Sequence, residues 1–187
     1  MTVTDPLHAS AVRLLSGWTP PDPGQEALRT AYLDHLASYD DAMLRTCRAG
    51  HLTASTLIVD PSREAVLLTL HPLVGRWLQT GGHCEVTDAD IHAAAAREAR
   101  EESSIHALQL DTTPLRLDRH EVRCRPETGD PTVLHHLDVQ FLAIAPPGAQ
   151  ERRTEESTDL RWWPWASLPA DTDASVRALV AAARDHG

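Results

Sequence analysis

All 17 basic residues of this 187-residue chain are arginine, and asparagine is missing altogether. Both absences read as the codon bias of a GC-rich genome and carry no chemistry. Cysteine is scarce. Cys47, Cys84 and Cys124 are odd in number, widely spaced and never arranged as C-x-x-C, which excludes a disulfide framework and a zinc ribbon. A reducing cytoplasm is the simplest setting for such a chain. No apolar run approaches the roughly 20 residues of a membrane span, so no membrane partner is expected. The N-terminus carries Asp5 and His8 where a signal peptide has a basic patch before an apolar core. Surplus positive charge is lacking too. The 17 basic residues face 27 acidic ones, for a net charge of -10. That balance repels a polyphosphate backbone and argues against duplex nucleic acid as a partner.

What remains is an ordinary globular composition, 42% apolar and 24% charged, in a chain long enough for one domain with a proper core. The pattern divides it into an N-terminal helical extension over 1–50 and a main domain over 51–187. A short helix is expected near Leu7 to Leu15. A second starts at Asp22, with Pro23 in the first helical position and Gln25 placed to complete a capping box. Leu28, Tyr32, Leu36, Tyr39 and Met43 then recur at helical spacing, and Gly50 reads as the stop. This helix is expected to pack on the main domain, with a homodimer contact as the lesser reading. Strands are expected over Thr53 to Val59 and Ala65 to Leu70, joined by an Asp60-Pro61-Ser62-Arg63 turn. A short strand, Trp77 to Gln79, leads into a Gly81-Gly82 turn. The Ala-rich run Asp90 to Glu102 predicts a helix. Strands near Leu115 to Val122, Val133 to Ala145 and Asp159 to Trp163 follow, and Ala174 to Arg184 predicts a closing helix. Trp77, Trp162, Trp163 and Trp165 read as core residues before base-stacking ones.

Chemistry concentrates between Gly81 and Ile105. On a helix, positions i, i+3 and i+4 share a face, so Glu98, Glu101 and Glu102 form one carboxylate stripe. Like charges so close repel and cost helix stability; a divalent cation reverses the sign of that cost. Arg97, four residues before Glu101, can pair with a carboxylate and orient it. Taken alone, an E-x-x-E-E cluster is more often a solvated helix face. The preceding Gly81-Gly82 shifts the balance, because glycine lets backbone approach a ligand closely.

In these residues the sequence resembles the Nudix hydrolase family, whose box reads G-x5-E-x7-R-E-U-x-E-E-x-G-U, with U aliphatic. Gly82 opens the box, Arg97-Glu98-Ala99-Arg100-Glu101-Glu102 matches its central run and Ile105 closes it. The lead-in Arg76 to His83 and the late segment Glu155 to Trp162 resemble the family as well, so the likeness spans about Thr53 to Pro169. Three positions depart from the pattern. The box is one residue longer between Gly82 and Arg97, Asp88 stands at its first acidic position, and Ser104 replaces the late glycine. That glycine commonly ends the helix in a left-handed conformation, so a slightly strained helix end is expected.

The resemblance implies an α/β/α sandwich around a mixed sheet, with the N-terminal helical extension added. It also implies a divalent-metal-dependent pyrophosphohydrolase that cleaves a nucleoside diphosphate linked to another moiety, or a related small diphosphate, by water attack at phosphorus. By the same resemblance Glu98, Glu101, Glu102 and the Gly81 carbonyl hold Mg²⁺, for which Mn²⁺ can substitute. Glu101 and Glu156 are the candidate general bases, with Glu155 as a stand-in for the second, and Arg97 supports them. His83, Arg76 and Glu85 are the candidate substrate contacts. The alternative is a non-catalytic Nudix-like module that binds a nucleotide-type ligand; such modules tolerate loss of the carboxylates, all of which are present here. Diphosphate isomerisation on the same fold requires a catalytic cysteine that none of the three resembles. A transition-metal site built from His83, Cys84 and His120 or His135 is the minority reading of the histidines, since strand neighbours point to opposite faces.

Overall fold

The structure is a computed structural model that describes residues 5–124, 132–154 and 157–186. Its elements run α1 (Pro6–Gly17), α2 (Pro23–Ser38), β1 (His51–Val59), β2 (Ala65–Leu70), β3 (Trp77–Leu78), β4 (Thr80–His83), α3 (Ile91–Ser103), β5 (Gln109–Leu110), β6 (Arg116–Cys124), β7 (Thr132–Ile144), β8 (Asp159–Pro164) and α4 (Ala174–Asp185). The strands form one mixed eight-stranded sheet in the order β3-β2-β1-β7-β5, with β4 on β1, β6 on β7 and β8 on β2. The chain divides into two compact units. One comprises Met1–Ala54, His83–Ala94 and Arg116–Val139, the other Ser55–Gly82, Ala95–Leu115 and Gln140–Gly187.

In the first unit, both N-terminal helices start on an aspartate followed by proline. Asp5 accepts from the Leu7 N–H at 3.0 Å and Asp22 from the Gln25 N–H at 2.9 Å, which satisfies donors that every helix start leaves unpaired. The expected capping box does not form. The Gln25 side chain instead leaves its own helix for β6, donating to the Leu117 carbonyl at 3.1 Å and accepting from the Leu117 N–H at 2.6 Å. One amide thus completes both backbone groups of a strand residue, and it is buried there. Tyr32, fully buried, donates to the Asp118 carbonyl at 2.6 Å. The helix therefore docks on the sheet through polar contacts as well as through Leu36. It also ends earlier than its periodicity suggests. Tyr39 caps α2 at Ser38 and is exposed, while Met43 is buried from the turns that follow.

The second unit shows the layering of an α/β/α sandwich in its side-chain alternation. Leu57, Val59, Val66, Leu68 and Leu142 pack with Val176, Leu179, Val180 and Ala183 of α4. Their strand neighbours Ile58, Leu67 and Ala143 pack with Ala99 of α3 and with Ile105. This is the period of two that sends successive strand residues to opposite faces. The β1–β2 hairpin turns on Asp60, whose Oδ1 accepts from the Glu64 and Ala65 N–H groups at 2.8 and 2.7 Å. Strand β8 pairs antiparallel with β2 from Ala65↔Pro164 to Leu70↔Asp159. Trp77, Trp163 and Trp165 belong to the α4-side core, Trp77 and Trp163 meeting edge-on at 5.2 Å. Trp162 packs on the α3 side and donates its indole N–H to Glu151 at 2.8 Å. Strand β5 is too short to have announced itself in the sequence, and Gly81-Gly82, expected as a turn, lies within β4.

Gln25→Ala strips the Leu117 N–H and C=O of their partner inside the fold. Each buried unsatisfied group costs about 1–3 kcal/mol, so chemical denaturation of the variant is expected to show a loss of about 2–6 kcal/mol with unchanged secondary structure.

Candidate functional site

Two small alanines bring α3 against the sheet. Ala95 and Ala99 are fully buried, and the Thr56 hydroxyl on β1 donates to the Ala95 carbonyl at 3.3 Å. Thr80 at the head of β4 donates to the Thr56 carbonyl at 2.9 Å. β4 and α3 are thereby referenced to the same residue of β1, and the glycines that follow Thr80 come up against the carboxylate stripe. The Gly81 N–H donates to Glu102 Oε2 at 3.3 Å. A Cβ on Gly82 would stand 2.6–2.7 Å from all three carboxyl atoms of Glu98. No larger residue leaves Glu98 where it is.

Arg97 Nη1 donates to Glu98 Oε1 at 2.9 Å and to Glu101 Oε2 at 3.2 Å. The guanidinium and Glu98 are largely buried, whereas half of the Glu101 side chain is exposed. The structure thus brings Gly81, Gly82, Arg97, Glu98, Glu101 and Glu102 together. Glu98, Glu101 and Glu102 offer carboxylate oxygens, the ligand type that suits a hard cation.

The other expected site residues are placed elsewhere. Arg76 is exposed and lines a surface cleft with Val74, Gly75, Ala170, Asp171 and Thr172. Glu85 is exposed on the loop after β4, where its N–H donates to Asp88 Oδ2 at 2.8 Å. Asp88 therefore closes a loop turn. Asp90 starts α3, accepting from the Ala93 N–H at 2.7 Å. Glu155 and Glu156 lie outside the described residues. At the far end of α3, Ser104 takes φ 60°, the left-handed conformation expected in place of the family's glycine. An L-residue pays about 1–2 kcal/mol for that geometry. The Ser103 carbonyl accepts from the Arg152 N–H at 2.9 Å, which pairs one of the last carbonyls of the helix.

His83, the residue after Gly82, joins a second cluster within the first unit. Among the described residues, the one group of three metal-ligating side chains whose ligand atoms all lie within 4.8 Å of one another is His51, His83 and His136. Their ring centroids are 4.9–5.0 Å apart. Cys84 is buried and not part of it. Gly50 helps to build the cluster. At φ 118° its backbone lies so close to the His135 carbonyl that a Cβ would sit 2.8 Å from that oxygen, which sets the start of β1 beside His136. His51 is 1% exposed, and among the described residues neither of its ring nitrogens, nor Nε2 of His136, meets a hydrogen-bond partner at bonding geometry. The Cys47 backbone is near enough to His51 to favour its protonated form, but desolvation outweighs it and the ring titrates below its ordinary range. Burial, reinforced by Arg45 and the neighbouring rings, lowers His83 to about 4 and His136 to about 3. His120 packs edge-on against His136 at 5.5 Å with Nδ1 held by Asp118 at 2.9 Å. The sequence offers His83 as a substrate contact and, in its minority reading, as a metal ligand with Cys84 and His120 or His135, but it does not single out His51 or His136. The juxtaposition depends on β4, β1 and β7 being neighbours, which no local pattern reveals.

The NUDIX domain model matches residues 50–183. The E. coli dihydroneopterin triphosphate pyrophosphohydrolase is 22% identical with a TM-score of 0.56, over 69% of this chain and 91% of that one. A NUDIX-family hydrolase from Clostridium perfringens is 22% identical with a TM-score of 0.54, over 73% and 98%. The NUDIX domain of Shewanella oneidensis NrtR, solved in complex with ADP ribose, is 20% identical with a TM-score of 0.52, over 82% and 96%. No protein of curated function matches the sequence. With its sheet, its α3 carboxylates and its glycine strand, this chain belongs to the Nudix family and is a hydrolase of pyrophosphate bonds. Among the described residues no helix is long and apolar enough to cross a membrane.

The histidine cluster makes stability depend on pH. The three rings bind protons near pH 6.5 when unfolded and only at lower pH when folded, so the unfolded state gains protons as pH falls. Their contribution is complete above pH 6.5 and is lost as pH drops toward 4. Urea denaturation in EDTA-containing buffer between pH 7 and about 5, above most carboxylate titration, is expected to show falling stability, with a shallower slope in His136→Leu.

Proposed function

We propose that this hydrolase requires a divalent cation, Mg²⁺ with Mn²⁺ as a substitute, and cleaves a small diphosphate of the type in which a nucleoside diphosphate is linked to another moiety. The observation that carries this reading is the meeting of the α3 carboxylates with the glycines of β4: Glu98 against Gly82, and Glu102 on the Gly81 N–H. Glu98, Glu101, Glu102 and the Gly81 carbonyl are the proposed ligands. A cation bound there neutralises diphosphate charge and acidifies a water for attack at phosphorus. Arg97 holds Glu98 and Glu101 in position through its two hydrogen bonds. Glu101, half exposed and within reach of solvent, or Glu156 with Glu155 as its substitute, takes the proton from the attacking water. His83, Arg76 and Glu85 remain the proposed substrate contacts. The division into an extension over 1–50 and a catalytic domain over 51–187 is supported by the start of the family match at residue 50. The buried cysteines Cys47 and Cys84 suit a reducing compartment such as the cytoplasm.

The rival reading is a module that binds a nucleotide-type ligand without turnover, as the NrtR domain binds ADP ribose. A panel of nucleotides, dinucleotides, nucleotide sugars and prenyl diphosphates with Mg²⁺ or Mn²⁺ separates the two: hydrolysis is expected for at least one class, and none across the panel favours the module. On the substrate so found, Glu98→Gln and Glu101→Gln are each expected to fold normally and to lose nearly all metal-dependent turnover; near-wild-type rates in both sink the assignment. Gly82→Ala is expected to leave stability almost unchanged, because the clash falls on the mobile end of Glu98. It should nonetheless cut turnover by about 100-fold, the scale of a 1 Å misplacement in an active site.

A further inference from the structure

We propose that His51, His83 and His136 form a second metal site, selective for a borderline-soft divalent ion such as Zn²⁺ and separate in chemistry from the carboxylate stripe. The ligand atoms lie within 4.8 Å of one another. Zinc–nitrogen bonds of about 2.05 Å in a tetrahedron place ligand nitrogens roughly 3.3 Å apart. Closing the cluster therefore takes about 1.5 Å of movement at most, within the reach of imidazole rotation. The chemistry of the donors excludes magnesium, which demands oxygen ligands, and suits zinc, cobalt, nickel or copper.

Burial supplies the second argument. His51 is almost wholly inside the protein, and among the described residues its two ring nitrogens and Nε2 of His136 meet no hydrogen-bond partner at bonding geometry. Buried imidazole is normally satisfied by a partner on each polar nitrogen. A coordinated metal satisfies one lone pair on each ring.

The placement assigns the ion a role. His51 opens β1, His83 closes β4 and His136 lies on β7, and these three strands are adjacent in the sheet, β4 pairing with β1 and β1 with β7. Within the first unit, one ion thus ties the first residue of β1 and the last residue of β4 to β7. Three protein ligands leave a fourth position for water or another group. The site is independent of the proposed hydrolytic metal, so either reading can fail alone.

The test uses the full chain stripped with EDTA, reconstituted with Zn²⁺ or Co²⁺ and gel-filtered. About one metal per chain is expected to remain by elemental analysis, the cobalt form showing visible ligand-field bands and the zinc form a raised thermal midpoint. His51→Ala and His136→Ala should bind zinc more than about 100-fold more weakly, beyond the 10–100-fold typical for losing an outer-shell partner. His136→Asn, which keeps a polar group of smaller volume, serves where an alanine variant does not fold, with circular dichroism as the check. The double variant Glu98→Gln/Glu102→Gln should retain its zinc. Failure of wild-type protein to hold zinc or cobalt overturns the proposal. So does full retention in the folded histidine variants, or loss in the glutamate double variant.

Discussion

Where Glu98 lies against Gly82, a carboxylate occupies the space of a missing side chain. That contact exists only because α3 approaches the sheet closely. The approach rests on Ala95 and Ala99 facing inward, and on Thr56 accepting from Thr80 while donating to Ala95. Larger residues at either alanine would lift the helix and withdraw three carboxylates from β4 at once. Arg97 acts within this frame: by holding Glu98 and Glu101 it offsets the repulsion that a bare glutamate stripe suffers on a helix. The carboxylate face of the second unit is therefore a packing result first and an electrostatic one second.

The first unit follows a different rule. Its N-terminal helices are joined to β6 by Gln25 and Tyr32, which satisfy backbone groups of Leu117 and Asp118. Such contacts are directional, so they fix the placement of α2 more sharply than apolar burial does. Asp138 plays a comparable part between strands, accepting from Thr53 at 2.9 Å.

Much of this was legible in the sequence because the signals were local. The helix start at Asp22, the Asp60 turn, the closing helix over Ala174 to Arg184 and the strands over Thr53 to Val59 and Ala65 to Leu70 each follow from signals within a few residues. The box residues were legible for the same reason, and the left-handed Ser104 followed from a single departure in the motif. What escaped was non-local. Gln25 carries a capping-box position but is claimed by a strand 92 residues away. Helix α2 stops at Ser38 although its apolar period continues to Met43, because the chain turns and buries Met43 without a helix. Glycine pairs read as turns, yet the Gly81 N–H bond and the Thr80 anchor keep β4 extended. The histidine trio needed three strands to be known as neighbours before it could be seen.

Strand β4 has a consequence for how this chain can change over time. Thr80, Gly81, Gly82 and His83 are consecutive, and each has a separate appointment: an anchor, a carboxylate, a second carboxylate and an imidazole cluster. A single inserted or deleted residue there moves every side chain to the opposite face, so all four contacts fail together. Length variation must therefore be absorbed after His83. The extra residue of the box falls beyond that point, between Asp88 and Arg97, where the Asp90 cap at the start of α3 takes up the slack.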